Sequence, residues 1–289
     1  MTYGGYYMSS APAWLAFAIL PAMEASLILE GWVSVLAAFE AGRREIQSVY
    51  VQKEKEIRTL AQIEKMAEKK GVKILVVSED EINTLAEGKS HGGILAMAGE
   101  RQFQSLDELI AGQKDAFVVM LDGVEDPFNY GQAIRALYAA GAHGLVVPER
   151  NWDTALNVVT RASAGASEYL PTAKVAQAEE AITFFKDRKF RVAATAKDPN
   201  SISIYAVDLH GPLFMLIGGE RRGLTAAALA LCDVLLTIPY GRDFKAELDV
   251  TSSTAALAFE VMRQRVWPQR LQKPSRETQG LPQRRRSKR

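Results

Sequence analysis

The chain predicts an α/β protein built on a parallel sheet, preceded by a smaller α/β unit, and three features carry that prediction. Continuous apolar runs such as FVVML, GLVVP and FMLIG recur between segments of helical period, the pattern of strands buried on both faces. The alternation pauses once, near residue 105, where FQSLDELIAGQKD reads as an exposed connector helix. With 289 residues and 48% apolar content, the chain can fill cores for about two domains.

In the first unit, helical patterning is expected to begin at EASLILEGWVSVLAAFEAG, directly after Met23. SVYVQ follows as strand, EKEIRTLAQIEKMAEKKG as helix and VKILVVS as strand. Ser78 and Glu81 have the spacing of a capping box for the helix in SEDEINTLAEG, which leads through the loop KSHGG to the strand ILAMAGE. The second series runs FVVML, a helix over 129–141, GLVVP, a helix over 153–164, a strand near 169–175 and a helix over 177–188. RVAATA, FMLIGGE, a helix after Gly223, VLLTIPY and a final helix over 251–265 complete it. The domain reading is an extension over 1–26, an α/β unit over 27–105, a larger α/β unit over 106–267 and a basic tail over 268–289.

Formal charge is only +1, yet PQRLQKPSRETQGLPQRRRSKR holds eight Lys/Arg against one Glu, suited to phosphate contacts or to remaining solvated. The single cysteine, Cys232, excludes an internal disulfide framework, and no Cys/His grouping has metal-site spacing, so no metal and a reducing, cytoplasmic compartment are expected. PAWLAFAILPAM is about a dozen residues, short of the ~20 that span a bilayer, and no positive segment precedes it as in a signal peptide. No membrane association is expected, and Met23 is a candidate true start.

Ligands of parallel sheets bind at the carboxyl ends of the strands, which directs attention to three loops. LDGVEDPFNYGQAIRALYAAGA follows a strand; its Asn129 reads either as a helix N-cap or as a site residue, and Arg135 either as a snorkelling surface residue or as a guanidinium aimed at the strand ends. In IGGERRGL, Gly218 and Gly219 permit close backbone approach by a ligand, while Glu220 either favours a following helix dipole or acts at the site. Arg221 and Arg222 beside it would attract an anion. The third loop brings Glu247 and Asp249 before Thr251, Ser252 and Ser253, ordinary capping chemistry on the plain view. No glycine fingerprint follows the first strand of either unit, against a nicotinamide or flavin enzyme.

In order, DPFNYGQAIRALYAAGA, the SAGA at 163–166, IGGERRGL with a later IPY, and ELDVTSSTAALAFE resemble the motifs of the SpoU (TrmH-like) branch of the SPOUT superfamily of RNA 2′-O-ribose methyltransferases, over residues 117–265. Residues 28–100 resemble the substrate-binding domain that precedes the catalytic domain in many members. The resemblance implies a parallel sheet with a C-terminal trefoil knot, a homodimer, S-adenosylmethionine as methyl donor and an RNA ribose as acceptor. The extra N-terminal domain points to ribosomal rather than transfer RNA. It also implies active-site roles for Asn129, Arg135 and Glu220, and cofactor contact at Gly218, Ile238 and Leu248, with Gly219 alongside. His91 in KSHGG is expected to be the most exposed histidine, facing RNA or simply occupying a turn; His143 and His210 have no evident partner.

One motif departs from the family pattern: Ser-Leu-Asn-Val-Ser is here Glu247, Leu248, Asp249, Val250 and Thr251. Two acids beside an RNA phosphate would repel it. Asp249 could take the hydroxyl proton or face the sulfonium, Glu247 could pair with Arg135, or turnover could be lost and an RNA-binding protein remain.

Overall fold

The computed structural model describes residues 27–88, 91–149 and 155–270. The N-terminal extension with its Met23 start, and the basic tail beyond Arg270, lie outside the described residues.

The first unit is a four-stranded sheet built from β1 (Leu27–Glu30), β2 (Ile46–Gln52), β3 (Lys73–Val77) and β4 (Ile94–Ala98), in the order β1-β4-β2-β3. Helices α1 (Trp32–Ala41), α2 (Leu60–Lys70) and α3 (Glu79–Leu85) connect its strands. β1 corrects the expectation that helical structure begins after Met23. Its four residues pair antiparallel with β4, Leu27 opposite Ala98 through Glu30 opposite Leu95, and Gly31 at φ 84 separates them from α1. Pairing with a strand some seventy residues away overrides local periodicity. The Ser78–Glu81 capping box is present at α3, each side chain serving the other's backbone N–H.

The second unit opens with α4 (Leu106–Ile110) and carries a seven-stranded parallel sheet. Its strands are β5 (Phe117–Asp122), β6 (Gly144–Pro148), β7 (Thr172–Val175), β8 (Arg191–Thr195), β9 (Ile202–Ser203), β10 (Leu213–Gly218) and β11 (Val234–Thr237), in the order β7-β6-β5-β10-β8-β11-β9. Successive residues of the central strands enter opposite cores, as the unbroken apolar runs require. Val119, Leu121, Met215 and Ile217 join one core with Ile134 and Leu257, while Val118, Met120, Phe214 and Leu216 join the other with Ala181 and Phe185. Phe185 stacks on Phe214 at 4.2 Å between ring centroids. β10 inserts between β5 and β8, so sheet order reverses beside β5, the place where open α/β sheets form their crevice.

The remaining helices are α5 (Pro127–Ala139), α6 (Leu156–Ala162), α7 (Ala166–Tyr169), α8 (Ala178–Asp187), α9 (Ala226–Leu231) and α10 (Val250–Arg270). α5 starts two residues earlier than predicted because Asp126, not Asn129, is its N-cap, with Pro127 at the first turn where a missing N–H costs nothing. The final helix is also longer than the 251–265 expected. Among the described residues, no helix is long and apolar enough to cross a membrane, and no group of three or more His, Cys, Asp or Glu is arranged to hold a metal ion.

Candidate active site

The loops that follow β5 and β10 meet backbone to backbone, and glycine makes the contact possible. A Cβ on Gly219 would lie 2.0 Å from the carbonyl oxygen of Gly123, and one on Gly218 would lie 2.9 Å from the backbone of Gly223. Gly123 itself has φ 72, a left-handed conformation that side chains disfavour. The Gly219 N–H donates to Asp122 O at 2.7 Å, and the Gly223 N–H returns to Gly219 O at 3.0 Å. Protein backbone makes the close approach at Gly218 and Gly219, and these glycines fix the rim beside which a ligand can sit.

From this rim the third loop is held by capping chemistry. Glu220 does not serve the short helix that follows it: its Oε1 accepts from the Val250 N–H at 3.1 Å, at the first residue of α10. Asp249 caps the same helix, Oδ1 accepting from the Ser252 N–H at 2.7 Å and Oδ2 from the Ser252 hydroxyl at 3.0 Å. The Ser252 N–H is the main reason its carboxyl is held below the usual carboxylate range. Thr251 Oγ donates to Asn129 O at 3.3 Å, while the Asn129 N–H donates to the Asp126 carboxylate at 2.8 Å. Asn129, Glu220, Asp249 and Thr251 are therefore gathered where α5, the loop after β10 and α10 all begin.

Glu247 bonds to neither Asn129 nor Arg135. It lies 3.5 Å from Lys197, beyond the end of β8, which corrects the possibility of a Glu247–Arg135 pair. Arg135 stands six residues beyond Asn129, roughly 9 Å along the helix and roughly 120° around it, exposed to solvent, with no hydrogen bond or ion pair to any described residue. The two therefore lie on different turns and different faces of α5. Arg221 Nη1 reaches the Glu125 carboxylate at 3.3 Å, and Arg222 is exposed on the same loop.

A cavity of about 410 Å³ opens next to this cluster, lined by Ile238, Pro239, Tyr240, Gly241, Arg242, Phe244 and Leu248. The Leu248 N–H donates to the Tyr240 hydroxyl at 3.0 Å, closing the intervening loop on itself, and the Tyr240 and Phe244 rings lie 6.1 Å apart. Of these residues, Ile238 and Leu248 were legible from their motifs. Tyr240, Phe244 and Arg242 were not singled out, although an aromatic directly after Ile-Pro and another four residues on are a visible signal.

His91 is buried, correcting the expectation of exposure. The Gly93 N–H donates to its Nδ1 at 3.1 Å, which leaves Nε2–H to donate to Asn83 Oδ1 at 2.9 Å. Both ring nitrogens are spent on bracing the loop before β4. His143 and His210 do have partners: the Phe117 N–H donates to His143 Nδ1 at 3.0 Å, and His210 Nε2 donates to Gln264 O at 2.9 Å.

Comparison with known proteins adds to this geometry. The SpoU rRNA methylase family model matches residues 116–259, and the model for the RNA 2′-O-ribose methyltransferase substrate-binding domain matches residues 28–104. The 23S rRNA (guanosine-2′-O-)-methyltransferases RlmB of Shewanella oneidensis and Photorhabdus laumondii are 30% and 31% identical to the chain, covering 84% and 83% of it and 99% of each relative. Among solved structures, the AdoMet-bound rRNA methyltransferase of Sinorhizobium meliloti aligns with a TM-score of 0.70 at 25% identity, over 83% of this chain and 88% of that one. The SpoU methyltransferase AviRb of Streptomyces viridochromogenes, in complex with AdoMet, aligns with a TM-score of 0.68 at 25% identity, over 83% and 91%.

Proposed function

This chain belongs to the SpoU rRNA methylase family, with an RNA 2′-O-ribose methyltransferase substrate-binding domain ahead of the catalytic one, and on that premise we propose a ribosomal RNA 2′-O-methyltransferase mechanism for its site. The methyl donor is S-adenosylmethionine, and the acceptor is a ribose 2′-hydroxyl of ribosomal RNA, a guanosine ribose as in the 23S rRNA-modifying relatives. The observation that carries the reading is that the loop after β10 and the start of α5, behind β5, both bond to the start of α10 at the carboxyl ends of the strands, beside an apolar cavity formed by the segment 238–248.

The cavity suits the donor: its volume lies in the range of small-molecule sites, and Ile238, Leu248 and the Tyr240 and Phe244 rings offer apolar surface for a flat base. Arg242 on the same wall matches a carboxylate. When bound, S-adenosylmethionine supplies a methyl group on an electron-poor sulfur. The protein's task is to present the ribose oxygen in line with it and to ease loss of the hydroxyl proton. Arg135, uncommitted to any described residue, has its guanidinium donors available to hold the RNA phosphate and to stabilise developing negative charge on the oxygen. Asn129 and Glu220, at the helix starts beside the cavity, orient the acceptor, while Gly218, Gly219, Ile238 and Leu248 shape the cofactor wall. Arg221 and Arg222 extend positive charge along the rim toward RNA, and Asp249 fixes the loop. Both departures from the family motif have partners away from the acceptor, Glu247 on Lys197 and Asp249 on Ser252, so they leave room for turnover.

The same reading includes a homodimer, a C-terminal segment threaded as a trefoil knot, and residence in the cytoplasm. Support for the dimer comes from α5 and α10, which pack on one another yet leave Phe128, Tyr138 and Phe259 in solvent. The domain limits proposed are 27–105 for RNA binding and 106–267 for methyl transfer. Incubation with methyl-labelled S-adenosylmethionine and separated ribosomal and transfer RNA tests the reading. Label in ribosomal RNA, mapped to a 2′-O-methyl, is expected. Label confined to transfer RNA reassigns the substrate, and cofactor binding without label in any RNA leaves an RNA-binding protein.

A further inference from the structure

The segment 163–170, SAGASEYL, takes no part in the cavity; it is where the two sheet units meet. Ala164 and Gly165, at φ 51 and 82, turn the chain sharply between α6 and α7. A Cβ on Gly165 would stand 2.6 Å from that of Ala37, so the turn is fitted against α1 of the first unit. Next to it, Arg44 Nε and Nη2 donate to the two Glu168 oxygens at 2.9 and 3.0 Å, with both side chains 0% exposed. Glu30 makes the reciprocal arrangement from the first unit: fully buried, it accepts from the Glu87 and Gly88 N–H groups at 2.8 and 2.7 Å and from Arg161 Nη1 of the second unit at 3.1 Å. Asn157 Oδ1 accepts from the Glu30 N–H, Tyr169 donates to Glu40, and Arg101 Nη2 donates to Leu170 O and Thr172 Oγ.

Units joined by a small polar interface ordinarily move relative to one another. Here each unit inserts a carboxylate that is neutralised by an arginine of the other, and a buried two-point pair tolerates little rotation before it becomes an uncompensated charge. We propose that Arg44 and Glu168 are positioning residues that lock the RNA-binding unit onto the catalytic unit, so that the span from recognition surface to reacting ribose is set by this interface. The proposal rests on the RNA methyl-transfer reading. Neither residue reaches the cavity, so their effect belongs to RNA binding and not to the chemical step.

The test uses the full chain with both charges removed together, Arg44→Met with Glu168→Leu, which leaves no orphaned ion. Expected are a cofactor Kd within about twofold of the parent, a KM for RNA raised about tenfold or more with kcat within about threefold, and small-angle scattering that a single rigid arrangement no longer fits. Unchanged scattering together with unchanged KM overturns the lock. Should the double variant fail to fold, Tyr169→Phe at the exposed rim of the interface, which leaves no buried ion unpaired, is expected to raise the KM for RNA about two- to threefold and to move scattering in the same direction, and no movement overturns it. A parent chain that methylates no RNA defeats the functional reading alone, because scattering still decides the lock.

Discussion

The Glu220 carboxylate accepts the Val250 N–H at 3.1 Å, so the loop after β10 caps the helix that completes the site. This contact makes two roles separable by substitution. Glu220→Ala removes the acceptor and is expected to lose about 0.5–2 kcal/mol, the usual cost of a lost cap. Glu220→Gln keeps an acceptor oxygen and is expected to retain the melting temperature while methyl transfer falls about tenfold or more, if the negative charge itself acts on the reacting groups. Full activity in the glutamine variant would reduce Glu220 to a cap.

Asp249 is held below the ordinary carboxylate range, chiefly by the Ser252 N–H, and a carboxylate so stabilised is a weak proton acceptor. Its folded value is depressed, so its contribution to stability is present above the unfolded value of 3.8 and is lost as pH falls through the folded value. Asn is as good an N-cap as Asp. Asp249→Asn is therefore expected to fold normally, to keep methyl transfer near neutral pH and to lower the KM for RNA by removing a negative charge from the rim. A loss of about two orders of magnitude in kcat would identify Asp249 as the base after all.

The parallel sheet was legible because strands buried on both faces are written as unbroken apolar runs, and FVVML and FMLIG enter two cores at once. The capping box at Ser78 was legible because its partners are three residues apart. What escaped was non-local. β1 depends on a partner strand at 94–98, the burial of His91 on Asn83 and Gly93, and the Arg44–Glu168 pair on residues 124 positions apart. The misassigned cap at Asn129 is different, since Asp126-Pro127 carried the local signal and a later, equally polar residue was chosen. At the site, motif order located the loops and the six-residue spacing on a helix already separates Arg135 from Asn129, but only folding could show that Glu247 faces Lys197.

His143 offers a pH test of the second unit. Burial, then the charge of Arg265, hold its imidazole below the ordinary 6.5, and the Phe117 N–H donates to Nδ1, which must be unprotonated to accept. Because the folded value is the lower one, the unfolded chain takes up the proton first. Its stabilisation is fully present above about pH 6.5 and is lost as pH falls below that value. Thermal unfolding of the parent chain is expected to weaken more between pH 7 and pH 5 than that of His143→Gln, which keeps an acceptor and does not titrate. Parallel curves for the two would mean that His143 makes no pH-dependent contribution.

Arg135 allows the sharpest separation of fold from chemistry, because no described residue makes use of its charge: the side chain is exposed on α5 and bonds to none of them. Arg135→Ala is expected to change stability by no more than about 0.5 kcal/mol, as surface substitutions do. Cofactor affinity is expected to hold, since the residues lining the cavity are all in the segment 238–248. Methyl transfer, by contrast, is expected to fall about a hundredfold or more, the scale of losing one preorganised donor at a developing anion. Lysine restores the charge but not the paired planar donors, so Arg135→Lys is expected to recover only part of the rate, with a KM for RNA that rises more steeply with salt. Turnover in the alanine variant within about tenfold of the parent would remove the guanidinium from the mechanism and leave the 2′-hydroxyl to be activated by Glu220 or by solvent.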